Sequence, residues 1–212
     1  MAAGRAGGLA ALWVLTAAVL PGCATTAAHR PEAAADNSPW PTRLAELQHI
    51  RHFDLDGRLA ASNGKDGFSA GLRWQQNDDQ TVIDLSAPLG FGAAHIQRTD
   101  DLLRVTTNKG VTLDSEAAND ELRATLGFEA PLASLRYWVL GASSPDTAAQ
   151  ESLDPMHRLK HLEQEGWQVD YGEYAMVQDR WLPQSMTITH ESLKLKVVVH
   201  DWRLYRILGD PQ

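Results

Sequence analysis

His157 and His161 stand four residues apart, the interval that puts two imidazoles on one face of a helix within reach of a shared metal ion. No cysteine or acid at ligand spacing completes the set, so two surface histidines are the simpler reading. Other catalytic constellations are equally thin. There is no H-E-x-x-H and no phosphate-binding P-loop, and Gly90-Phe91-Gly92 continues into Ala93-Ala94-His95 without the third glycine of a dinucleotide loop. No serine nucleophile elbow is expected, and a Ser/His/Asp triad would need geometry that spacing does not supply. Cys23 is the only cysteine, which rules out a disulfide or a thiolate cluster within one chain. These absences predict a protein that is not an enzyme and carries no cofactor or metal.

The one residue with a plausible covalent role is Cys23 itself. Arg5 precedes an apolar run from Leu9 to Leu20, too short for a spanning helix of roughly 20 residues but suited to an export signal. The run ends in Leu20-Pro21-Gly22-Cys23, which resembles the lipobox of bacterial lipoproteins, with Pro21 departing from the usual residue at its position. That resemblance implies an S-diacylglyceryl group on the Cys23 thiol, cleavage before it, and an N-acyl group on the new amino terminus. Three acyl chains would anchor the protein permanently where one would hold only reversibly. Ala24 after the cysteine, by similarity to the enteric sorting rule, favours the outer membrane of a Gram-negative bacterium, with the domain on the periplasmic face.

The elements that follow must position whatever the anchored domain does. Loss of Arg5 with residues 1–22 takes the formal charge from -8 to -9, so nucleic acid is an unsuitable partner. Residues 23–39 are rich in alanine and proline, as expected of an acylated cysteine and flexible tether, and 40–212 are long enough for one domain, expected as a monomer. Trp40 to His49 has a helical pattern. Phe53, Leu55, Leu59 and Ala61 alternate, as do Phe68, Ala70, Leu72 and Trp74, around Asn63-Gly64. Ile83 and Leu85 continue the strand signal, and Leu103 and Val105 face Val111 and Leu113 across Asn108-Lys109-Gly110. Helical spacing returns over Glu116 to Leu126 and Pro131 to Leu140, where Leu132, Leu135 and Trp138 form a stripe ended by Gly141. Residues 143–155 read as loop and Leu159 to Leu162 as ambiguous. Strands return at Trp167 to Tyr171, at Met186 and Ile188, and at Leu193 to Val199. The class is α+β, built on a curved antiparallel sheet or partial barrel.

Two features exceed the needs of a core. Six tryptophans follow the signal, and Trp74, Trp138 and Trp167, with Leu135, could line an apolar cavity under the 131–140 helix. In DLSAPLGFGAAHI (84–96), Leu89 and Phe91 occupy a turn that normally faces water. Ala87-Pro88-Leu89-Gly90 fits a type I turn with Leu89 at its outer corner; the alternative is that both side chains fold back into the core.

An ordered set of motifs carries a family resemblance. Gly57-Arg58-Leu59-Ala60, Leu72-x-Trp74-Gln75-Gln76, Pro88-Leu89-Gly90, Pro131-Leu132-x-x-Leu135-x-x-Trp138-x-x-Gly141, Gly166-Trp167-x-Val169-x-Tyr171-x-x-Tyr174, Leu182-Pro183, Leu193-Lys194-Leu195-Lys196 and Trp202 occur in the order found in the LolB family of outer-membrane lipoproteins. The resemblance implies a half-open, strongly curved antiparallel β-barrel of about eleven strands with a helical lid or plug. It implies that Leu159 to Tyr171 is a hairpin. It also implies a receptor that accepts lipoproteins from the periplasmic carrier LolA, holds their acyl chains in an apolar interior and inserts them into outer-membrane lipid without nucleotide hydrolysis. Leu89 matches the family's protruding, insertion-promoting leucine, with Phe91 as a second contact; Ala87 and Phe91 are more apolar here than in the best-known members. Two other readings stay open. One is a structural or assembly lipoprotein using a Trp-rich surface against a protein partner, and the other is an enzyme acting on lipid or cell wall.

Overall fold

Alternation of apolar and polar side chains turns one face of each strand inward. The computed structural model, which describes residues 38–86, 94–99, 102–126 and 131–205, follows that rule along most of its sheet. After helix α1 (Trp40–Gln48) come strands β1 (His52–Ser62), β2 (Gly67–Asn77), β3 (Gln80–Ser86), β4 (Ala94–Thr99), β5 (Leu102–Thr107) and β6 (Thr112–Asp114). Helices α2 (Ser115–Leu126) and α3 (Leu132–Trp138) follow. The chain then forms β7 (Ala149–Leu153), β8 (Leu159–Gln164), β9 (Trp167–Tyr171), β10 (Tyr174–Val177), β11 (Arg180–Pro183), β12 (Ser185–His190) and β13 (Leu193–Leu204).

Eleven strands make one antiparallel sheet in the order β6-β5-β4-β3-β2-β1-β13-β12-β9-β8-β7, while β10 and β11 pair separately. β6 and β7 are its edges, so the sheet is not closed and the α+β, half-open architecture expected from the sequence is the one observed. β1 and β13 meet at the centre, and their register shifts at Gly57. Asp56 opposes Asp201 but Gly57 opposes Val199, leaving His200 as the extra residue of a bulge. The shift changes the inward parity of β13, so that Val199 and Trp202 are both buried. A Cβ on Gly57 would lie 2.3 Å from the Val198 carbonyl oxygen, which explains why glycine stands there. The outward face is solvated and charged; the Asp56 carboxylate, for example, accepts from the guanidinium groups of both Arg73 and Arg203.

Several expectations need correction. Residues 149–153 are not loop but the edge strand β7, and only Ala149 among them is even partly buried, so no alternation marks it. Val111 is not paired in a strand core: β6 begins at Thr112, and Val111 remains 49% exposed. β4 and the β10–β11 hairpin had no clear periodic signal; all four residues of β10 are half-buried. Residues 159–171 form the β8–β9 hairpin. His157 sits in a turn with φ +56° and His161 on β8, so the two share no helical face.

Candidate functional site

The inner face of the sheet is a set of apolar rungs fixed by register. Val105, Ile96, Ile83, Trp74, Leu55 and Trp202 lie side by side from β5 to β13. Nearer the β1–β2 turn, Phe68, Ala61, Leu195, Ile188, Val169 and Leu162 make a second row from β2 to β8. All but Phe68 are buried, each large one contributing about 1.5–3 kcal/mol. An open sheet with so apolar a face needs a cover, because exposing it to water would cost that energy.

α3 and the segment after it supply the cover. Leu132, Ser134, Arg136 and Trp138 are all buried, so the helix is enclosed on more than one side. Ser134 Oγ donates to Glu165 Oε1 (2.8 Å) in the β8–β9 turn. Arg136 Nη1 donates to Asp78 O (3.4 Å) and lies 3.5 Å from Asp79 Oδ1 in the β2–β3 turn. α3 thereby ties the two halves of the sheet together. Gly141, at φ +79°, ends the helix: its N–H donates to Trp138 O and that of Ala142 to Tyr137 O, the Schellman pairing.

Gln164, buried on β8, fastens this plug. Its Oε1 accepts from Trp138 Nε1 (2.8 Å) and Ser144 N (2.9 Å), and its Nε2 donates to Ser144 O (2.9 Å) and Thr147 O (2.8 Å). The Tyr171 hydroxyl donates to Trp138 O (2.9 Å) and that of Tyr174 to Leu159 O (2.7 Å); burial pushes the pKa of both phenols well above the usual range. Gln164 is not legible as a functional residue in the sequence, because a glutamine on a strand carries no motif. Its position on the inward parity of Leu162 and Trp167 was the available signal.

The cavity residues expected from sequence divide into two groups. Trp138 and Trp167 meet, with ring centroids 6.1 Å apart, and Trp167 stacks on His190 at 4.6 Å. Leu135 is partly buried and packs on the same core. Trp74 instead has Phe53 as its ring partner, at 6.1 Å, and its indole N–H donates to Gln76 Oε1 (3.2 Å). Trp74, Trp138 and Trp167 are each no more than 4% exposed. Cys23, Leu89 and Phe91 lie outside the described residues.

Space at the inner face opens at one end of the sheet. A hollow of about 140 Å³ beside the β1–β2 turn is lined by Ala61, Phe68 and Leu193 on its apolar side and by Ser62, Asn63 and Asp66 on its polar side. A larger one of about 340 Å³ runs along 148–150 and 163–168, but Gln150, Glu163, Gln164, Glu165 and Gln168 make it polar.

The remaining chemistry-bearing groups serve structure. Gly67-Phe68-Ser69-Ala70-Gly71 does spell G-x-S-x-G, yet it runs inside β2 rather than at a strand-to-helix turn, and Ser69 Oγ lies 3.4 Å from Arg58 Nη2. His161 lies 2.8 Å from Asp170 and 3.3 Å from Glu163, and the Asp170 hydrogen bond raises its pKa. Among the described residues no group of three or more His, Cys, Asp or Glu side chains is placed to hold a metal ion. Arg158 lies over the rings of Tyr174 and Trp181 and is paired with Asp154 at 2.6 Å. Burial alone would raise the Asp154 pKa, but hydrogen bonds from Arg158 and from the Met156 and Arg158 amides bring it below the ordinary value.

Comparison with known proteins accords with this geometry. Residues 51–202 match the family described as outer membrane lipoprotein LolB. The chain is 31% identical over 187 residues to an outer-membrane lipoprotein LolB of Pseudomonas paraeruginosa, covering 88% of this chain and 91% of that one. Among solved structures, a LolA superfamily protein of Nitrosomonas europaea (TM-score 0.52, 9% identity, 80% of this chain and 95% of that one) has the same fold. So does a putative outer membrane lipoprotein-sorting protein domain of Vibrio parahaemolyticus (TM-score 0.53, 10% identity, 82% of this chain and 93% of that one). The chain belongs to the LolB family.

Proposed function

We propose that this protein is an outer-membrane receptor for lipoproteins, anchored through acylated Cys23 at the periplasmic face and acting as a monomer. It accepts passengers from a LolA-like carrier and inserts them into the bilayer. Membership of a family whose relatives are named outer-membrane lipoproteins supports the location. The observation that carries the reading is the continuous apolar inner face of an unclosed eleven-stranded sheet, covered by a hydrogen-bonded plug rather than by a closed barrel wall. Acyl chains released into water would cost tens of kcal/mol at roughly 0.8 kcal/mol per methylene, and such a face removes most of that cost. The hollow of about 140 Å³ is near the size of a benzene-binding cavity, too small for whole acyl chains, so the apolar face has to open further to take them.

No nucleotide is required. Transfer runs downhill when the receptor binds the chains more tightly than the carrier does and the bilayer more tightly still. Leu89, with Phe91, touches the membrane and releases the passenger. Leu89→Glu therefore leaves folding and passenger binding intact but blocks insertion in a liposome assay; efficient insertion by the variant sinks the proposal. The competing reading, an assembly subunit holding a protein partner through its tryptophans, gains nothing from Trp74, Trp138, Trp167 and Trp202, which are buried, and keeps only the half-buried Trp40 and Trp181. Native mass spectrometry separates the two, since a receptor carries acyl ligands and an assembly subunit does not.

A further inference from the structure

Building on the reading of Leu89 as a membrane probe, we propose that the β1–β2 and β5–β6 turns also engage the bilayer, Val111 entering the interface while Lys65 and Lys109 hold anionic headgroups. Sheet topology brings these turns together. The chain leaves β3 at Ser86, opposite Gly71 of β2, and re-enters at Ala94, opposite Thr107 of β5. The ends of β3 and β4 at Ser86 and Ala94 therefore lie between the strands that carry the β1–β2 turn on one side and the β5–β6 turn on the other.

Both turns are fixed and exposed. In the first, Asn63 Oδ1 accepts from the amides of Lys65 (3.0 Å) and Asp66 (2.8 Å). In the second, Thr107 N–H donates to Val111 O (2.9 Å) and Gly110 N–H to Thr107 O (3.0 Å). Lys65 and Lys109 are exposed. Val111 keeps the parity of half-buried Leu113, so it extends the inner apolar face past the end of the sheet, where it is 49% exposed. An apolar tip with lysines beside it fits a lipid interface, because the methyl groups leave water while the ammonium groups stay at headgroup level. In the β1–β6 half Lys65 and Lys109 stand against one exposed acid, Asp66, whereas the other half of the same end carries Glu165 in the β8–β9 turn and Glu191 in the β12–β13 turn against Lys194, so an anionic surface draws in the β1–β6 half and tilts the domain.

The test uses the lipid-anchored full chain in phosphatidylethanolamine–phosphatidylglycerol vesicles. Cys23 is the only cysteine and its thiol is occupied by lipid, so Val111→Cys offers a single labelling site. An environment-sensitive fluorophore there shifts to the blue and is quenched by headgroup-depth spin-labelled lipid, while one at Met156→Cys, on the β7–β8 turn at the opposite end, stays aqueous. Lys65→Gln with Lys109→Gln slows passenger delivery about fivefold for each lysine, and only when phosphatidylglycerol is present. An aqueous signal at Val111, a signal that changes only when loaded carrier is added, or a slowing independent of anionic lipid overturns the proposal. A Leu89→Cys label distinguishes the two claims: if it penetrates while Val111 stays aqueous, only this proposal fails, and if both stay aqueous during delivery, the membrane-probe reading fails with it.

Discussion

Gln164→Leu tests whether one buried amide fastens the plug. The substitution nearly conserves volume but leaves the Trp138 indole N–H and the Ser144 backbone N–H without the oxygen they share. Each orphaned buried donor costs about 1–3 kcal/mol, so the pair costs about 2–6 kcal/mol. That is a large part of the 5–15 kcal/mol typical of a domain. Trp138→Phe removes one donor, while Gln164 Oε1 still accepts from Ser144, so its hydrogen-bond loss is nearer 1 kcal/mol. Because both changes delete the same bond, the double variant loses less than the sum of the singles, by about 1 kcal/mol. Urea unfolding gives the stabilities from a shifted midpoint at constant slope, and hydrogen exchange at the Ser144 amide reads the plug locally. An unchanged midpoint and unchanged Ser144 protection in Gln164→Leu would refute the claim that this residue holds the cover in place.

Gly57→Ala forces a methyl group to within 2.3 Å of a backbone oxygen at the β1–β13 bulge; we expect a loss of about 1–3 kcal/mol or more, readable as a lowered thermal midpoint. Asp154 has a folded-state pKa below its unfolded value of about 3.9, so its contribution is complete above that pH and is lost as pH falls through the folded pKa. Asp154→Asn should accordingly be less stable than the parent at neutral pH, with the gap closing in acid, as followed by urea titrations at a series of pH values. Cys23→Ala should release the domain into the soluble fraction while it still takes passengers from the carrier, which fractionation and a transfer assay check together.

Much of the fold was legible because half-buried strands keep a period of two. β1, β2, β9 and β13 each bury alternate residues, and their sequences alternate in step. The glycines of the family motifs were legible as positions but not as reasons: Gly57 is required by a carbonyl on β13 and Gly141 by a positive φ against Pro183 and Tyr174, both long-range facts. β7 carries no signal in the sequence because an edge strand with exposed side chains has nothing to alternate. Val111 looked like a strand residue because its parity is right; only the position of the turn shows that it reaches solvent. The sequence suggests one tryptophan lining, whereas Trp138 and Trp167 pack together and Trp74 rests on Phe53.

The sequence by itself determined the family, the alternating strands, the capped plug helix and the chemistry available at Cys23, because those depend on residue type and short spacing. Tertiary structure decided that Gln164 joins β8 to α3 across 26 residues, that α3 links the β2–β3 and β8–β9 turns, and that Lys65, Lys109 and Val111 share one end of the sheet. Those relations arise from strand order and register, which bring distant residues into contact through pairing that no local pattern encodes.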